Sequence, residues 1–592
     1  MRSIAREERP LADRWLARGL ALAVALVVCG PLLGRGYTLV SDMVFVPNPA
    51  LSARSWGGDG SVPRAVPMDF LLALLGTVLP MPLVQQALLL AVVGLAVLGA
   101  WRASPATTLP GAAAGALTFG WGPYLAERLA MGHWSLLLGV ALLPWILVAA
   151  LRHDVERSGP RGPALPWTLV LLGGVGAVAA PTAGLLTGLL VVGLAWLPRF
   201  TRRDRVVLVL SVALANATWA LPGVLAHARV TRDPFGVQAF AVSPDTRFGG
   251  AVSLLTGGGV WNELTHPTSR GLGVAVALSV VVLLVALTGW ATVGRSWWPG
   301  TRGRAQAVLL ALGVLGLVIG LASLTSPGRD LLVWTTDHVP GAGILRDAQK
   351  WVAWWLLAVA VGVGPGLERL TRAFSSRQAA FLVACGAVLP VAASPDLAWG
   401  LDGRLHRAEW PSDFTAAAAV VNDSPATGAA VVFPWHAFRA WGWNDDRTVL
   451  DPWQRLLRRP TIVRDDLEVR SGVVPGEDPD AAWVTERIEA GDLTADALRD
   501  HGVRFVVEDL TTPGEEPPAL AGTTVFDGRW VRVVDLGPAA PYDDRGPGAT
   551  AVLATDLLAA GWLLAAAGVN ANRGRLRVLC SGRGNTRERK PE

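Results

Sequence analysis

Twelve apolar blocks, each roughly 17–24 residues long, recur along this 592-residue chain and limit what it can fold into. A block of that length crosses a ~30 Å hydrocarbon layer as a helix, and a helix satisfies its own backbone hydrogen bonds inside lipid. The blocks lie at approximately 16–34, 84–101, 110–126, 135–151, 165–181, 182–198, 206–226, 271–294, 305–325, 351–367, 378–394 and 550–569. Only 17% of the chain is charged, against about a quarter in a soluble chain, so a large soluble enzyme is not expected. The expected fold class is an all-α polytopic membrane bundle of about 12 transmembrane helices, with a small α/β extracytoplasmic domain inserted before the last helix.

The fifth and sixth blocks meet at the tight Pro181-Thr182 turn, and charge decides whether they count as one span or two. With the N-terminus inside and strict alternation, Arg2, Arg6, Arg9, Arg14 and Arg18 lie inside, followed by Arg102, then Arg152, Arg157 and Arg161. Arg199, Arg202, Arg203 and Arg205 come next, then Arg295, Arg302 and Arg304, then Arg369, Arg372 and Arg377, and last the tail from Arg573 to Lys590. Merging the two blocks would move every later cluster outside, against the positive-inside bias. The first block has a basic flank but no small-residue cleavage site and reads as a retained span. The expected location is the inner (plasma) membrane, with both termini cytoplasmic. The net charge of +5 is then an orientation signal, and no nucleic-acid partner is expected. Cys29 and Cys385 fall in spans and Cys580 in the tail, so no disulfide is expected in the outer domain.

Three regions follow: 1–394 with eleven spans, an extracytoplasmic domain at 395–549, and 550–592 with the last helix and a basic tail. Four outer loops, at 35–83, 123–134, 227–270 and 326–350, are long enough to carry chemistry. Residues 66–80 are apolar but too short to span and read as an interfacial helix. In 395–549, β-type runs occupy 430–433, 504–508 and 523–534, the last holding the hairpin signal Asp527-Gly528. Helical stretches are expected at 479–490 and 494–501.

The outer loops gather the candidate groups. Asp42 sits about eight residues past the first span, where a carboxylate can act as base on a hydroxyl acceptor; a solvated loop residue or a helix cap fits as well. The second loop packs Tyr124, Glu127, Arg128 and His133 into a dozen residues. The fourth ends Arg346-Asp347-Ala348-Gln349-Lys350, and Lys350 is one of only two lysines against fifty arginines. At helical spacing 346 and 350 share a face, suited to a phosphate or to a pair of snorkelling anchors. In the third loop His227, Arg229, Arg232, Asp245, Glu263 and His266 stand near the Gly257-Gly258-Gly259 run, which argues for loop rather than a helical metal site. No phosphate-binding glycine loop, HExxH or cysteine-pair pattern occurs.

The outer Asp after span one, the interfacial helix, the Gly132-His133-Trp134-Ser135 start of span four and the Arg346/Lys350 pair before a late span together resemble the GT-C superfamily. These are membrane glycosyltransferases that use polyprenyl-phosphate sugars. The resemblance covers roughly 15–395 and is greatest to the membrane region of actinobacterial arabinofuranosyltransferases and related bacterial membrane proteins. It implies an inverting glycosyltransferase moving arabinofuranose or mannose from a polyprenyl-phosphate donor to a cell-envelope glycan or glycolipid, beside the lipid bilayer. It implies Asp42, Glu127 and His133 as catalytic residues and Arg346, Lys350 and Arg128 as binders of the donor phosphate. No metal site or organic cofactor is expected, a divalent cation being left open. The first loop carries one Asp where several members have an adjacent acidic pair. Two other readings stand beside this one, a transporter or flippase of lipid-linked envelope material and a non-catalytic scaffold of envelope assembly. Charges sit almost wholly at span ends, with Asp556 the exception, and no half-repeat is visible.

The alternation is directly testable: reporters fused after residues 480 and 585 should give opposite signals, outside and inside, and matching signals would remove the twelve-span scheme.

Overall fold

The computed structural model describes residues 11–156, 165–227, 234–297, 300–339, 341–510 and 520–584. Arg2, Arg6, Arg9, Arg157, Arg161, Arg229, Arg232 and residues 585–592 lie outside the described residues, as do the side chains of His227, Arg295 and Cys580. Apolar helices stand at the twelve expected positions: Leu11–Cys29, Met81–Ala103, Leu109–Gly120, Trp134–Glu156, Trp167–Ala179, Pro181–Leu194, Arg202–His227, Gly273–Trp297, Thr301–Ala322, Ala353–Leu370, Ser376–Ala393 and Ala549–Gly584. Among the described residues nine spans are long and apolar enough to cross a membrane. The other three helices have 12, 13 and 14 residues. Two of them form a helical hairpin, because Ala180 is extended and Pro181 starts the return arm.

Contacts join distant loops that the sequence assigns to one side. Glu368 accepts hydrogen bonds from the backbone of Thr107 and Thr108, each at 2.7 Å. Asp154 accepts from Arg199 Nη1 at 2.9 Å and from Thr301 Oγ1 at 3.0 Å. These groups all come from loops expected on the inner face. The Asp154–Arg199 contact brackets the hairpin, so the chain leaves that face and returns to it between residues 156 and 199.

Glycines set the closest helix packing. A Cβ built on Gly289 would lie 1.9 Å from the Gly362 carbonyl oxygen, and one on Gly366 2.0 Å from that of Val285. Helices Gly273–Trp297 and Ala353–Leu370 therefore touch backbone to backbone, as small residues allow where lipid supplies no hydrophobic drive for association.

The 395–549 domain is built on a five-stranded mixed sheet in the order Thr523–Asp527, Val531–Asp535, Val503–Asp509, Ala429–Phe433, Thr461–Ile462. The first two strands form the antiparallel hairpin expected around Asp527-Gly528, and the last three run parallel. All five residues of the central Ala429–Phe433 strand are buried. Helices Pro479–Ala490 and Ala495–Asp500 fall where expected. The domain is joined to the first outer loop along its length: Tyr37 and Thr38 pair with Ala408 and Arg407, and Ser41 bridges Val449. Trp410 Nε1 donates to the Phe45 carbonyl at 2.9 Å. A domain read from sequence as tethered at its two ends is in fact fastened in its middle as well.

Gly289→Val should push two backbones apart and cost about 1–3 kcal/mol or more, read as a lower thermal midpoint in detergent. Gly94, with nothing within 4 Å of its added Cβ, should tolerate Ala.

Candidate functional site

The first and second outer loops touch because residue 132 has no side chain. Gly132 has φ +74°, and a Cβ there would lie 2.2 Å from the Met43 nitrogen. The contact brings the Met131 carbonyl to the Asp42 N–H at 3.2 Å. On its other side Ser41 donates to the Thr448 carbonyl at 2.6 Å, and its own carbonyl accepts from Leu450 at 2.9 Å. Asp42 is thus held between the second loop and the outer domain.

From Asp42 a run of polar contacts leads to the start of the Ala353–Leu370 helix. The Asp42 Oδ2 lies 3.1 Å from His133 Nε2, and His133 Nδ1 lies 3.1 Å from Arg128 Nη1. A guanidinium can only donate, so Nδ1 accepts and Nε2 carries the proton given to Asp42. Arg128 in turn clasps Asp347 with both Nη atoms, at 2.6 and 2.7 Å, and gives Nε to Gln349 Oε1 at 2.9 Å. Lys350 Nζ reaches the same Asp347 at 3.4 Å. The Tyr124 hydroxyl donates to the Lys350 carbonyl at 2.9 Å.

Desolvation in this recess acts to raise the Asp42 carboxyl. The His133 hydrogen bond and the charges of His133, Lys350 and Arg455 outweigh it and hold Asp42 below the usual carboxylate range. His133 is pushed down from its usual value, first by desolvation and then by the neighbouring cations, against the pull of Asp42. The pair therefore rests as carboxylate and neutral imidazole at neutral pH. Burial would also raise Asp347, but Arg128 and Lys350 keep it well below the ordinary range.

Exposure sorts the six candidate residues. The Asp42 side chain is 47% exposed and that of Lys350 24%, whereas that of Arg128 is 0%. Asp42, His133 and Lys350 are brought together. Three expectations are corrected. Glu127 is fully buried and faces away from Asp42: its carboxylate accepts from the Gly259 and Val260 amides and from Gln349 Nε2, each at 3.1 Å. It is a strut that fastens the third loop and not a group open to substrate. Arg128 is saturated by Asp347, Gln349 and His133 and has no edge to offer a phosphate. Arg346 turns to Glu477 of the outer domain at 3.0 Å. Helical spacing fails for 346 and 350 because the segment is two separate 3-10 turns, Ala342–Leu345 and Ala348–Val352, with regular helix only from Ala353.

Sequence reasoning missed the partners that make the site. Asp347 and Gln349 lie between the two cations it singled out, and an acid inside a basic cluster is the signal that could have found them. Nothing local marks Arg455. In the third loop Asp245 and Arg270 form a fully buried pair at 2.6 Å. Glu263 and His266 turn to different partners, Arg470 and the Val260 carbonyl. Among the described residues no group of three His, Cys, Asp or Glu could hold a metal ion. An apolar cleft of about 790 Å³ opens within the bundle beside the site, lined by Phe119, Trp121, Tyr124, Leu283 and Leu356 among others.

No protein-family profile matches the chain, and no curated protein does. Among solved structures it is similar to the cryo-EM structure of arabinofuranosyltransferase AftD from Mycobacteria, with a TM-score of 0.56 and 18% identity. The match covers 91% of this chain and 40% of that one, so the chain spans about two fifths of that protein's length. ArnT from Cupriavidus metallidurans bound to undecaprenyl phosphate matches over 90% of this chain and 100% of its own at 13% identity, with a TM-score of 0.31, too low to argue from. The likeness to the first shows a shared fold.

Arg128→Met would leave Asp347 buried without its main partner and should cost about 3–5 kcal/mol, seen as lost folded protein or a sharply lower thermal midpoint. Lys350→Met removes a partly exposed partner while Arg128 still holds Asp347, and should stay within about 1 kcal/mol.

Proposed function

We propose that the chain is an inverting glycosyltransferase that moves a sugar from a polyprenyl-phosphate donor to a cell-envelope glycan or glycolipid at the outer face of the inner membrane, with both termini cytoplasmic. Arabinofuranose and mannose are the candidate sugars. The observation that carries this reading is an accessible, ionised Asp42 linked through His133, Arg128 and Asp347 to Lys350, a partly exposed cation, on a bundle that shares its fold with a solved arabinofuranosyltransferase.

In this reading the acceptor hydroxyl oxygen attacks the anomeric carbon while the bond from that carbon to the donor phosphate oxygen breaks. The electron pair leaves with the polyprenyl phosphate, and the hydroxyl proton goes to Asp42. A weakly basic carboxylate suits a proton that becomes acidic only as the new bond forms. Lys350 stabilises the charge that grows on the departing phosphate, an electrostatic contribution from a group already in place. His133 is a positioning residue: with Nδ1 held by Arg128, its Nε2–H fixes the orientation of Asp42. The apolar cleft beside Tyr124 suits the first prenyl units of the donor.

With membranes and a radiolabelled polyprenyl-phosphate sugar, Asp42→Asn should abolish transfer. Lys350→Met at equal abundance should lower it about tenfold or more, since a charge-assisted hydrogen bond contributes about 1.5–3 kcal/mol, and Lys350→Arg should retain part of it. Normal transfer by Lys350→Met would remove the phosphate role. His133→Ala deletes a hydrogen bond and a charge that both lower the Asp42 pKa while leaving desolvation, which raises it. The acid limb of the rate profile should therefore move to higher pH when scanned over about pH 3–7. A limb that stays in place would remove the positioning role.

A further inference from the structure

A second cleft, of about 950 Å³, lies between the first outer loop and the outer domain. Val44 and Val46, just past Asp42, form one wall; the interfacial helix Met68–Gly76 supplies Asp69, and the domain supplies Arg455 and Arg464. Arg455 Nε lies 3.2 Å from Asp69 Oδ2, and both side chains stay partly open, at 19% and 25% exposure. Leu450 of the lining donates to the Ser41 carbonyl at 2.9 Å, and Val44 of the lining stands two residues past Asp42, so the cleft adjoins the segment that carries the carboxylate.

The charges that line the cleft are already matched. Arg54 pairs with Asp59 at 3.4 Å, Arg64 with Asp465 at 3.3 Å and Asp451 with Arg439 at 2.8 Å. Arg464 pairs with Asp466 and with Glu468. An anionic ligand would have to break one of these pairs or meet its carboxylate. A neutral hydroxyl can accept from a spare guanidinium N–H and donate to a spare carboxylate lone pair without displacing either. Phe45 is an aromatic ring in the lining, and the polar edges around it carry the hydrogen-bonding recognition.

We propose that this cleft binds the acceptor, and that the acceptor segment it takes is a neutral polyhydroxylated sugar chain oriented toward Asp42 by the Arg455–Asp69 pair. The inference rests on the transfer reading above for its role and on the cleft alone for its ligand. The chemistry needs no further group: the cleft holds and orients a hydroxyl, and Asp42 receives its proton.

The test is binding without donor, by saturation-transfer NMR titration on the full chain in lipid nanodiscs. The probes are mannotriose, an arabinofuranosyl trisaccharide and trigalacturonate. At least one neutral trisaccharide should bind wild type and Asp42→Asn alike, about tenfold more tightly than trigalacturonate. Arg455→Gln should weaken that binding about tenfold, the loss of a charged hydrogen bond. Ala50→Trp, which leaves the ion pair intact and fills the cleft, should weaken it comparably, so a folding defect in one variant does not decide the matter. Equal or tighter binding of trigalacturonate, no neutral binding, or neutral binding indifferent to both variants would overturn the inference. The two readings fail separately. Cleft-dependent binding with no transfer from any donor would leave the acceptor site and remove the transferase, and Asp42-dependent transfer with binding blind to the cleft would do the reverse.

Discussion

The buried clasp between Arg128 and Asp347 is the interaction on which the outer face depends. It joins the short helix Pro123–Ala130 to the turn before the Ala353–Leu370 helix, across more than two hundred residues of sequence. Two parallel charge-assisted hydrogen bonds fix distance and angle together, which a single contact cannot do. Everything reactive is referenced to that clasp. His133 takes its tautomer from the third Arg128 contact, Asp42 takes its orientation from His133, and Lys350 shares the Asp347 carboxylate. The neighbouring Glu127 extends the same frame to the third loop through the Gly259 and Val260 amides.

Burial explains why the cations expected to meet a phosphate did not all do so. In a low-dielectric recess an unpaired guanidinium is costly, so Arg128 is consumed by protein carboxylate and amide before any ligand arrives. Arg346 finds Glu477 at the domain surface. Lys350 stays partly exposed, and its ammonium is a compact charge that can turn between Asp347 and a ligand.

Much of the fold was legible in the chain because it is written in length and periodicity. The helix positions and the hairpin at Asp527-Gly528 follow from apolar run length and turn chemistry, both local properties. The crossing capacity of individual helices was less so, since Gly and Pro shorten the arms on either side of Pro181 without lowering their hydropathy. In the site, Asp42, His133 and Lys350 were recognisable as isolated polar groups at span ends. Their partners were not, because Asp347 meets Arg128, and Arg455 meets Asp69, only after distant segments pack. Arg346 and Lys350 were assigned a common face from an α-helical spacing that the two 3-10 turns do not keep. Residue type reports what a group can do, and packing alone decides which partner it spends that capacity on.

The seam between the first outer loop and the outer domain also imposes an order of events in synthesis. Ser41 takes its backbone partners from Thr448 and Leu450, roughly four hundred residues downstream. At about 5–20 residues per second the ribosome needs on the order of 20–80 s to make that stretch. Through this interval the segment at Val40–Met43 has already left the ribosome, and the amide and carbonyl of Ser41 are still without their partners. The backbone beside the carboxylate at 42 gains its second clamp only when the domain arrives behind it. A chain truncated before residue 448 would therefore hold nearly all of its membrane helices and the polar contacts of the recess, yet lack the wall that clamps Ser41.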